Sequence, residues 1–259
     1  MILKGEFSSE LLKTTANLQF MIPDEGEGPY KVIYLLHGLH GNHSSWIHNS
    51  MLPYYGKKYN AIFVMPDAAR SFYTDLRYGR NYLSYLSDEL PQICRNIFNI
   101  STRMEDTAVM GYSMGGYGAL RLALSNPGVY GFCGAISTAC LYFKPFLKIL
   151  KNDPDSYLKT GREAEETYKD LLSIYGYDFE YTPAYDILHL IKTYPDNIPK
   201  PRIYANCGTE DGLLKENHNF REDMKDSSFD FTYEEWQGGH DWDFFNDGLK
   251  KTLEIWDKG

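Results

Sequence analysis

The sequence lacks several features that would point to particular classes of protein. Its 259 residues contain only four cysteines, with no Cys-x-x-Cys pair and no regular spacing. This argues against a disulfide framework or a zinc site, so we expect Cys94, Cys133, Cys140 and Cys207 to be reduced, buried thiols. No apolar run approaches the length of a membrane span, and the amino terminus lacks the apolar run of a secretory signal. A cytoplasmic protein without a membrane partner is the resulting expectation.

Positive charge is also scarce. The chain has 26 lysines and arginines against 35 acidic residues, which gives a formal net charge of −9. Such a chain has no electrostatic footprint for nucleic acid, so no nucleic-acid partner is expected. The composition, 43% hydrophobic and 24% charged, is that of an ordinary globular protein, and the length is near the upper limit for one hydrophobic core.

Apolar runs of strand length alternate with helical patterns along the chain. Strands are predicted at residues 30–36, 61–65, 107–110, 132–137, 202–207 and 229–236, and residues 9–22 are also β-type. Several of these runs are almost continuously apolar, as in strands that are buried on both faces of a parallel sheet. Apolar residues at helical spacing predict three helices: one over residues 82–98, one that begins after Ser113, and one over residues 242–256. Pro91 marks a kink or a start in the first of them. The alternation predicts an α/β protein with a mainly parallel sheet.

Residues 141–201 differ from the rest of the chain. They are rich in Lys, Asp, Tyr and Pro, they contain two short helical patterns (163–174 and 184–191), and they lack a strand pattern. We therefore expect one domain over residues 1–259, with residues 141–201 inserted between two strands as a segment resembling a cap or lid.

The clearest chemical signal is Gly-Tyr-Ser-Met-Gly-Gly at residues 111–116, which contains Gly-x-Ser-x-Gly between a predicted strand and a predicted helix. A serine hydroxyl must project from a tight turn to reach both a base and a substrate carbonyl, and glycines relieve the crowding in such a turn. A helix that begins after Ser113 directs backbone N–H groups towards a developing oxyanion. This context favours Ser113 as a nucleophile over an incidental serine in a glycine-rich turn.

A nucleophilic serine needs a base and an orienting carboxylate, which in this architecture follow it in the order acid, then histidine. The sequence Gly-Thr-Glu-Asp-Gly after strand 202–207 supplies Asp211, and Gly-Gly-His-Asp after strand 229–236 supplies His240. Asp211 is preferred to Glu210 for its shorter side chain beside a glycine, and Asp241 is the other competitor.

The remaining histidines are weaker candidates for the base. Four precede the serine and two lie on helical stretches; they are His37, His40, His43, His48, His189 and His218. The first four also raise the possibility of a metal site. They have no carboxylate close by in the sequence and no helical His-x-x-x-His spacing, so neither a metal nor a cofactor is expected.

Two loops at strand ends complete the predicted site. The turn at residues 37–41 follows strand 30–36, the position that supplies one oxyanion donor in this fold, so we predict the N–H groups of Leu39 and Met114 as the two donors. The loop at residues 70–75 also follows a strand, and it either lines the substrate pocket or is a packed surface loop.

Six stretches together resemble the putative esterase (esterase D) family. They are YLLHGLHGNHSSW (34–46), MPDAARSFYTD (65–75), DELPQICRNIF (88–98), GYSMGGYGALRLAL (111–124), GTEDGLL (208–214) and GGHDWDFF (238–245). This family includes bacterial tributyrin esterases, S-formylglutathione hydrolases, feruloyl and acetyl-xylan esterases, and mycolyltransferases; the sequence looks most similar to the intracellular tributyrin-esterase branch. The resemblance implies an α/β-hydrolase fold with helices on both faces of a twisted sheet. It also implies the triad Ser113, Asp211 and His240, with oxyanion donors at Leu39 and Met114.

The expected activity is hydrolysis of short-chain acyl esters, acetyl to butyryl and including acetylated sugars, through an acyl-enzyme intermediate. The alternatives are a feruloyl or cinnamoyl esterase, an S-formylglutathione hydrolase, and a binding module that keeps the fold without catalysis. A homo-oligomer is compatible with the sequence. Two features depart from the family pattern: Tyr112, where members often have histidine or leucine, and residues 141–201, which match no family motif.

Overall fold

A computed structural model describes residues 1–258, which are arranged around one eight-stranded sheet. The strands are β1 (Ile2–Ser9), β2 (Thr14–Met21), β3 (Lys31–Leu36), β4 (Ala61–Pro66), β5 (Thr107–Tyr112), β6 (Phe132–Ile136), β7 (Arg202–Gly208) and β8 (Phe231–Trp236). Their spatial order is β1-β2-β4-β3-β5-β6-β7-β8. The pairs β1–β2 and β2–β4 are antiparallel, and all the other pairs are parallel. The predicted α/β class with a mainly parallel sheet is confirmed.

Helices connect the strands. They are α1 (Ser45–Asn49), α2 (Leu52–Tyr55), α3 (Tyr82–Ser84), α4 (Leu90–Ile97), α5 (Met114–Ser125), α6 (Phe143–Asn152), α7 (Pro154–Leu158), α8 (Arg162–Tyr175), α9 (Ile187–Thr193), α10 (Leu214–Met224) and α11 (Trp242–Asp257). Short 3₁₀ turns occur at Gly56–Lys58, Met104–Asp106 and Pro183–Tyr185, and a π-helical turn at Tyr85–Glu89 joins α3 to α4.

The sheet is covered on both faces, which explains its apolar strands. Along β3, Val32 and Tyr34 pack in one core cluster with α4, α5, α8 and α10, while Ile33 and Leu35 pack in a second cluster with α1, α2 and α11. Alternate residues of a strand point to opposite faces, so a strand covered on both sides reads as a continuous apolar run.

Three local predictions need correction. The first strand, β1, was not predicted, because it is an edge strand with mostly exposed side chains and therefore has no apolar run. The helix predicted over residues 82–98 contains the π-helical turn just before Pro91, whose missing N–H interrupts the regular helical ladder. Cys94, Cys133 and Cys207 are buried as expected, but Cys140 is partly exposed.

Residues 141–201, which we call the 141–201 segment, are helical and contain none of the described strands. Helices α8 and α9 correspond to the two predicted patterns, whereas α6 and α7 were not predicted. Helix α6 does bury Phe143, Leu147 and Leu150 at helical spacing, but its early Pro145 obscures that pattern in the sequence.

The direction of chain progression across the sheet reverses at β3. Strand β3 pairs with β4 on one side and with β5 on the other, and Leu36 at the end of β3 lies beside Gly111 in β5. The loops after β3 and β5 therefore leave the sheet side by side. This is the position where ligands bind in open α/β sheets, and the site described below lies there.

Candidate active site

Ser113 occupies a strained turn between β5 and α5. Its backbone has φ 56° and ψ −122°, in the left-handed region that residues with a side chain rarely adopt, and α5 begins at the next residue. The flanking glycines are sterically required. A Cβ on Gly111 would lie 2.2 Å from the Gly115 carbonyl oxygen, and a Cβ on Gly115 would lie 2.5 Å from that of Leu36. The turn thus raises Ser113 above the sheet while α5 packs directly on the end of β3.

The three residues selected from chain order meet in one chain of hydrogen bonds. His240 Nε2 lies 2.9 Å from Ser113 Oγ, and His240 Nδ1 lies 2.8 Å from Asp211 Oδ2. Because the carboxylate can only accept, Nδ1 carries the proton and Nε2 is free to accept from the serine hydroxyl. Asp211 lies in the loop after β7 and His240 in the loop after β8. The arrangement can move a proton from the serine to the imidazole.

The carboxylate of Asp211 is held in its charged form. Its side chain is fully buried, at 0% exposure, whereas that of His240 is 36% exposed. Burial alone would raise the pKa of Asp211, but hydrogen bonds from His240 and from the Leu213 N–H, the latter at 2.7 Å, outweigh it and leave the pKa below its usual value. The Leu213 contact has no signal in the sequence.

The two competing acids face elsewhere. Glu210 accepts a hydrogen bond from the Gln237 amide at 3.2 Å. The carboxylate of Asp241 accepts from the Phe244 N–H at 3.0 Å and so caps the first turn of α11.

The turn after β3 lies against the start of α5. A hydrogen bond from the Gly41 N–H to the Gly38 carbonyl, 2.9 Å long, closes this turn and places Leu39 at its tip. A Cβ on Gly115 would also lie only 2.7 Å from the His37 carbonyl oxygen, so the turn and the helix are in close contact. Met114 is the first residue of α5, where backbone N–H groups have no partner within the helix. The two predicted oxyanion donors thus lie on adjoining pieces of backbone.

His37 is a fixed, neutral residue beneath this turn. Its Nδ1–H donates to the Gly38 carbonyl at 2.8 Å, and its Nε2 accepts from the Ala68 N–H at 3.0 Å. Burial lowers the pKa of His37. With both ring nitrogens engaged, the imidazole joins the turn to the loop after β4.

Two other histidines of the His37–His48 stretch, His40 and His43, contact carboxylates that are distant in the sequence. His40 Nε2 lies 3.1 Å from Glu163, and His43 Nδ1 lies 3.4 Å from Asp67. Within residues 1–258, no group of three or more His, Cys, Asp or Glu side chains is placed to hold a metal ion.

Aromatic rings support the site from below. The His240 imidazole meets the edge of Phe245, with ring centroids 5.0 Å apart, and Tyr112 packs on Trp46, Trp242 and Phe245. A Cβ on Gly38 would lie 2.5 Å from the Tyr112 ring. Tyr112, which departs from the family pattern, therefore packs against the turn after β3. Residue spacing in the sequence gives no signal of this contact.

The loop after β4 is a packed loop rather than an open pocket wall. Phe72 and Tyr73 are buried in the core. Arg70, at the edge of this loop, pairs with Asp170 at 2.8 Å and with Glu163 at 3.1 Å, both on α8. The pairings attach the 141–201 segment to the loop.

Comparisons with known proteins agree with this architecture. A family model described as "Putative esterase" matches residues 9–254. The chain is 31% identical to a Caldicellulosiruptor saccharolyticus protein named acetyl esterase, over 98% of this chain and 97% of that protein. It is 28% identical to a Bos taurus protein named S-formylglutathione hydrolase, over 82% of this chain and 75% of that protein.

The fold has solved counterparts. The structure of FphF, a fluorophosphonate-binding serine hydrolase of Staphylococcus aureus, superimposes with a TM-score of 0.84 at 21% identity, covering 99% of this chain and 98% of that one.

Within residues 1–258, no helix is long and apolar enough to cross a membrane. The match over nearly the whole chain and the full-length relative show that the chain belongs to this esterase family and is a hydrolase of carboxylic esters.

Proposed function

We propose that Ser113 is the nucleophile of a serine carboxylesterase, with His240 as general base and Asp211 as its orienting acid. His240 takes the hydroxyl proton as Ser113 Oγ attacks the ester carbonyl, and the N–H groups of Leu39 and Met114 stabilise the oxyanion. The His240 imidazolium returns the proton to the leaving alcohol, and the acyl group remains on Ser113 as an acyl-enzyme. Water activated by His240 then releases the acid and restores the serine.

The observation that carries this proposal is the hydrogen-bonded chain from Ser113 through His240 to Asp211, with links of 2.9 Å and 2.8 Å. It joins a partly exposed hydroxyl to a buried carboxylate through an imidazole, as activation of a weak nucleophile requires. The strained backbone at Ser113 supports the same role, because such strain is concentrated at functional sites.

We infer that the substrates are short-chain acyl esters, from acetyl to butyryl. The full-length relative named acetyl esterase supports this choice. S-formylglutathione, the alternative suggested by the bovine relative, carries carboxylates that need cationic partners. The guanidinium of Arg70, in the loop after β4, is already paired with Asp170 and Glu163, which favours an uncharged ester.

We also propose that the chain is one domain in which the 141–201 segment caps the site. Glu163 of α8 supports this, because it reaches both Arg70 in the loop after β4 and His40 in the turn that carries Leu39.

The test of the nucleophile is Ser113→Ala, assayed with p-nitrophenyl acetate. We expect kcat to fall by several orders of magnitude, by about 10⁶ if the loss matches that of a serine protease without its nucleophile. Ser125→Ala, at the far end of the same helix, is the matched control and should keep the activity. A Ser113→Ala enzyme with most of its turnover intact would overturn the proposal.

The test of the substrate class is a panel of p-nitrophenyl esters of rising acyl length, with methyl ferulate, acetylated xylo-oligosaccharides and S-formylglutathione. The highest kcat/KM should fall between acetate and butyrate. A kcat/KM on methyl ferulate or S-formylglutathione above that on the acetate to butyrate esters would contradict the proposed substrate class. The proposed triad would be unaffected by that result.

A further inference from the structure

Tyr73 is a fully buried side chain, at 0% exposure, that contacts the turn after β3. Its hydroxyl donates a hydrogen bond to the His37 carbonyl at 2.7 Å. That carbonyl begins the turn in which Leu39 lies, two residues further on. Tyr73 takes no part in the proposed mechanism, and its hydroxyl is hydrogen-bonded to the His37 carbonyl.

The same residue also contacts the helix that begins at Met114. A Cβ on Gly118 of α5 would lie 2.4 Å from the Tyr73 ring, so the ring lies directly on the helix backbone. One turn further along α5, Arg121 Nη1 donates to the Tyr73 carbonyl at 3.3 Å. Tyr73 therefore bridges the two pieces of backbone that carry the proposed oxyanion donors.

The loop that carries Tyr73 has an unusual backbone. Ala69, Phe72 and Tyr73 all have left-handed φ values, of 47°, 48° and 54°. Residues with side chains adopt this region only when the surroundings enforce it. Ser71 closes the loop, because its hydroxyl accepts from the Tyr73 N–H at 3.0 Å and its carbonyl accepts from the Thr74 hydroxyl at 2.7 Å.

We propose that Tyr73 is a positioning residue for the oxyanion hole, an inference that rests on the proposed function of Ser113. By holding the His37 carbonyl and lying against Gly118, Tyr73 fixes the separation between the Leu39 and Met114 N–H groups. Oxyanion donors act by being placed in advance at hydrogen-bond distance from the developing charge. Tyr73 therefore acts on the transition state and leaves substrate binding unchanged.

The test compares Tyr73→Phe with Tyr194→Phe. Tyr194 is a matched control, because it is also buried and its hydroxyl also donates to a backbone carbonyl, that of Pro199 at 3.1 Å. Its ring packs on Phe229, just before the start of β8, whereas the site lies beyond the carboxyl ends of the strands. Loss of a whole oxyanion donor lowers kcat by about 10²–10³, so a displaced donor should lower it by about tenfold. We expect this fall in kcat for Tyr73→Phe on p-nitrophenyl acetate, with KM unchanged. Tyr194→Phe should keep the parental kcat.

A second readout separates positioning from general stability. A trifluoromethyl ketone, which forms a tetrahedral adduct with a serine, should bind Tyr73→Phe about tenfold more weakly and bind Tyr194→Phe like the parent. Titration with a fluorophosphonate counts folded sites, so that kcat refers to folded enzyme. If Tyr73→Phe gives no folded sites, Ser71→Ala replaces it, since it loosens the loop and keeps Tyr73; kcat should fall there too.

Equal kcat and equal ketone affinity in Tyr73→Phe and Tyr194→Phe would overturn the inference, as would an unchanged kcat in Ser71→Ala where that variant is the one tested. Ser113→Ala, assayed in parallel, separates the two proposals. If Ser113→Ala is inactive and Tyr73→Phe behaves like its control, only the role of Tyr73 fails. If Ser113→Ala remains active, the proposed function itself fails.

Discussion

The proposed site and the 141–201 segment are built by different means. At the site, backbone lies on backbone: Gly111 and Gly115 leave no room for a Cβ, and the Asp211 carboxylate is fully buried. The segment is held mainly by side chains, through a buried apolar cluster rich in aromatic rings and ion pairs at its edge, with one backbone hydrogen bond from the Tyr78 N–H to the Ser173 carbonyl at 3.1 Å. The geometry of the proposed triad thus depends on the sheet and its turns, and we expect changes in the segment to leave the triad in place.

The contacts that hold the segment differ in burial between its inside and its edge. Phe143 of α6 packs on the rings of Phe72, Tyr117 and Tyr175, with centroid distances of 5.8, 5.1 and 5.6 Å. Glu163, at the edge, is 58% exposed. Aromatic burial stabilises a fold far more than an exposed ion pair does, so the inner contacts should dominate the attachment of the segment.

The largest effect is expected at the site, from Asp211→Asn. The change keeps the shape of the side chain but lets the imidazole adopt the wrong tautomer, and kcat should fall by about 10⁴. Steady-state kinetics with p-nitrophenyl acetate measure this. Glu210→Gln, on the neighbouring residue that bonds Gln237, is the control and should keep kcat within a few-fold.

The contribution of Asp211 to the stability of the parent protein depends on pH. The pKa of Asp211 in the folded protein lies below the usual 3.8, because His240 and the Leu213 N–H stabilise the charged form. A lowered carboxyl pKa stabilises the fold above the unfolded pKa, and this contribution disappears as the pH falls through the folded pKa. The stability difference between parent and Asp211→Asn, from urea unfolding, should shrink as the pH falls from about 5 to 3. A difference that grew over this range would contradict the pKa assignment.

The next effect is on the segment, from Phe143→Ala. Removing this ring leaves a cavity between the segment and α5, and we expect the free energy of unfolding to fall by about 3–5 kcal/mol. Phe146→Ala on the same helix, where the ring is only partly buried, should cost less. The folded Phe143→Ala enzyme should keep kcat on p-nitrophenyl acetate within about tenfold. A loss of kcat as large as that of Asp211→Asn would show that the segment and the site are not separable.

The smallest effect is expected from Glu163→Gln. Exposed ion pairs contribute about 0.2–1 kcal/mol, so this variant should lower the unfolding free energy by less than about 1 kcal/mol. Glu166→Gln, which breaks an exposed pair with Lys169 on the same helix, is the matched control and should behave alike. A loss above about 2 kcal/mol for Glu163 alone would mean that the edge, rather than the aromatic cluster, holds the segment.

Sequence reasoning predicted the buried strands, because they form apolar runs in the sequence. Ser113, Asp211 and His240 were selected because each follows a predicted strand in the chain order of this fold, and the structure places them in one hydrogen-bonded chain. It failed for β1, an exposed edge strand. Hydrogen bonds to β2 hold β1 in the sheet, and the side chains of β1 form no apolar pattern that would predict it. The contacts of Tyr73 and Glu163 join residues far apart in the chain, and no spacing rule reports them.

The most direct measurement for the central claim is the mass of the protein after reaction with a fluorophosphonate, followed by peptide mapping. We predict one adduct per chain, located on Ser113, with no adduct in Ser113→Ala and slower labelling in Asp211→Asn. An adduct on another residue, or no adduct on folded and active protein, would contradict the assignment of the nucleophile.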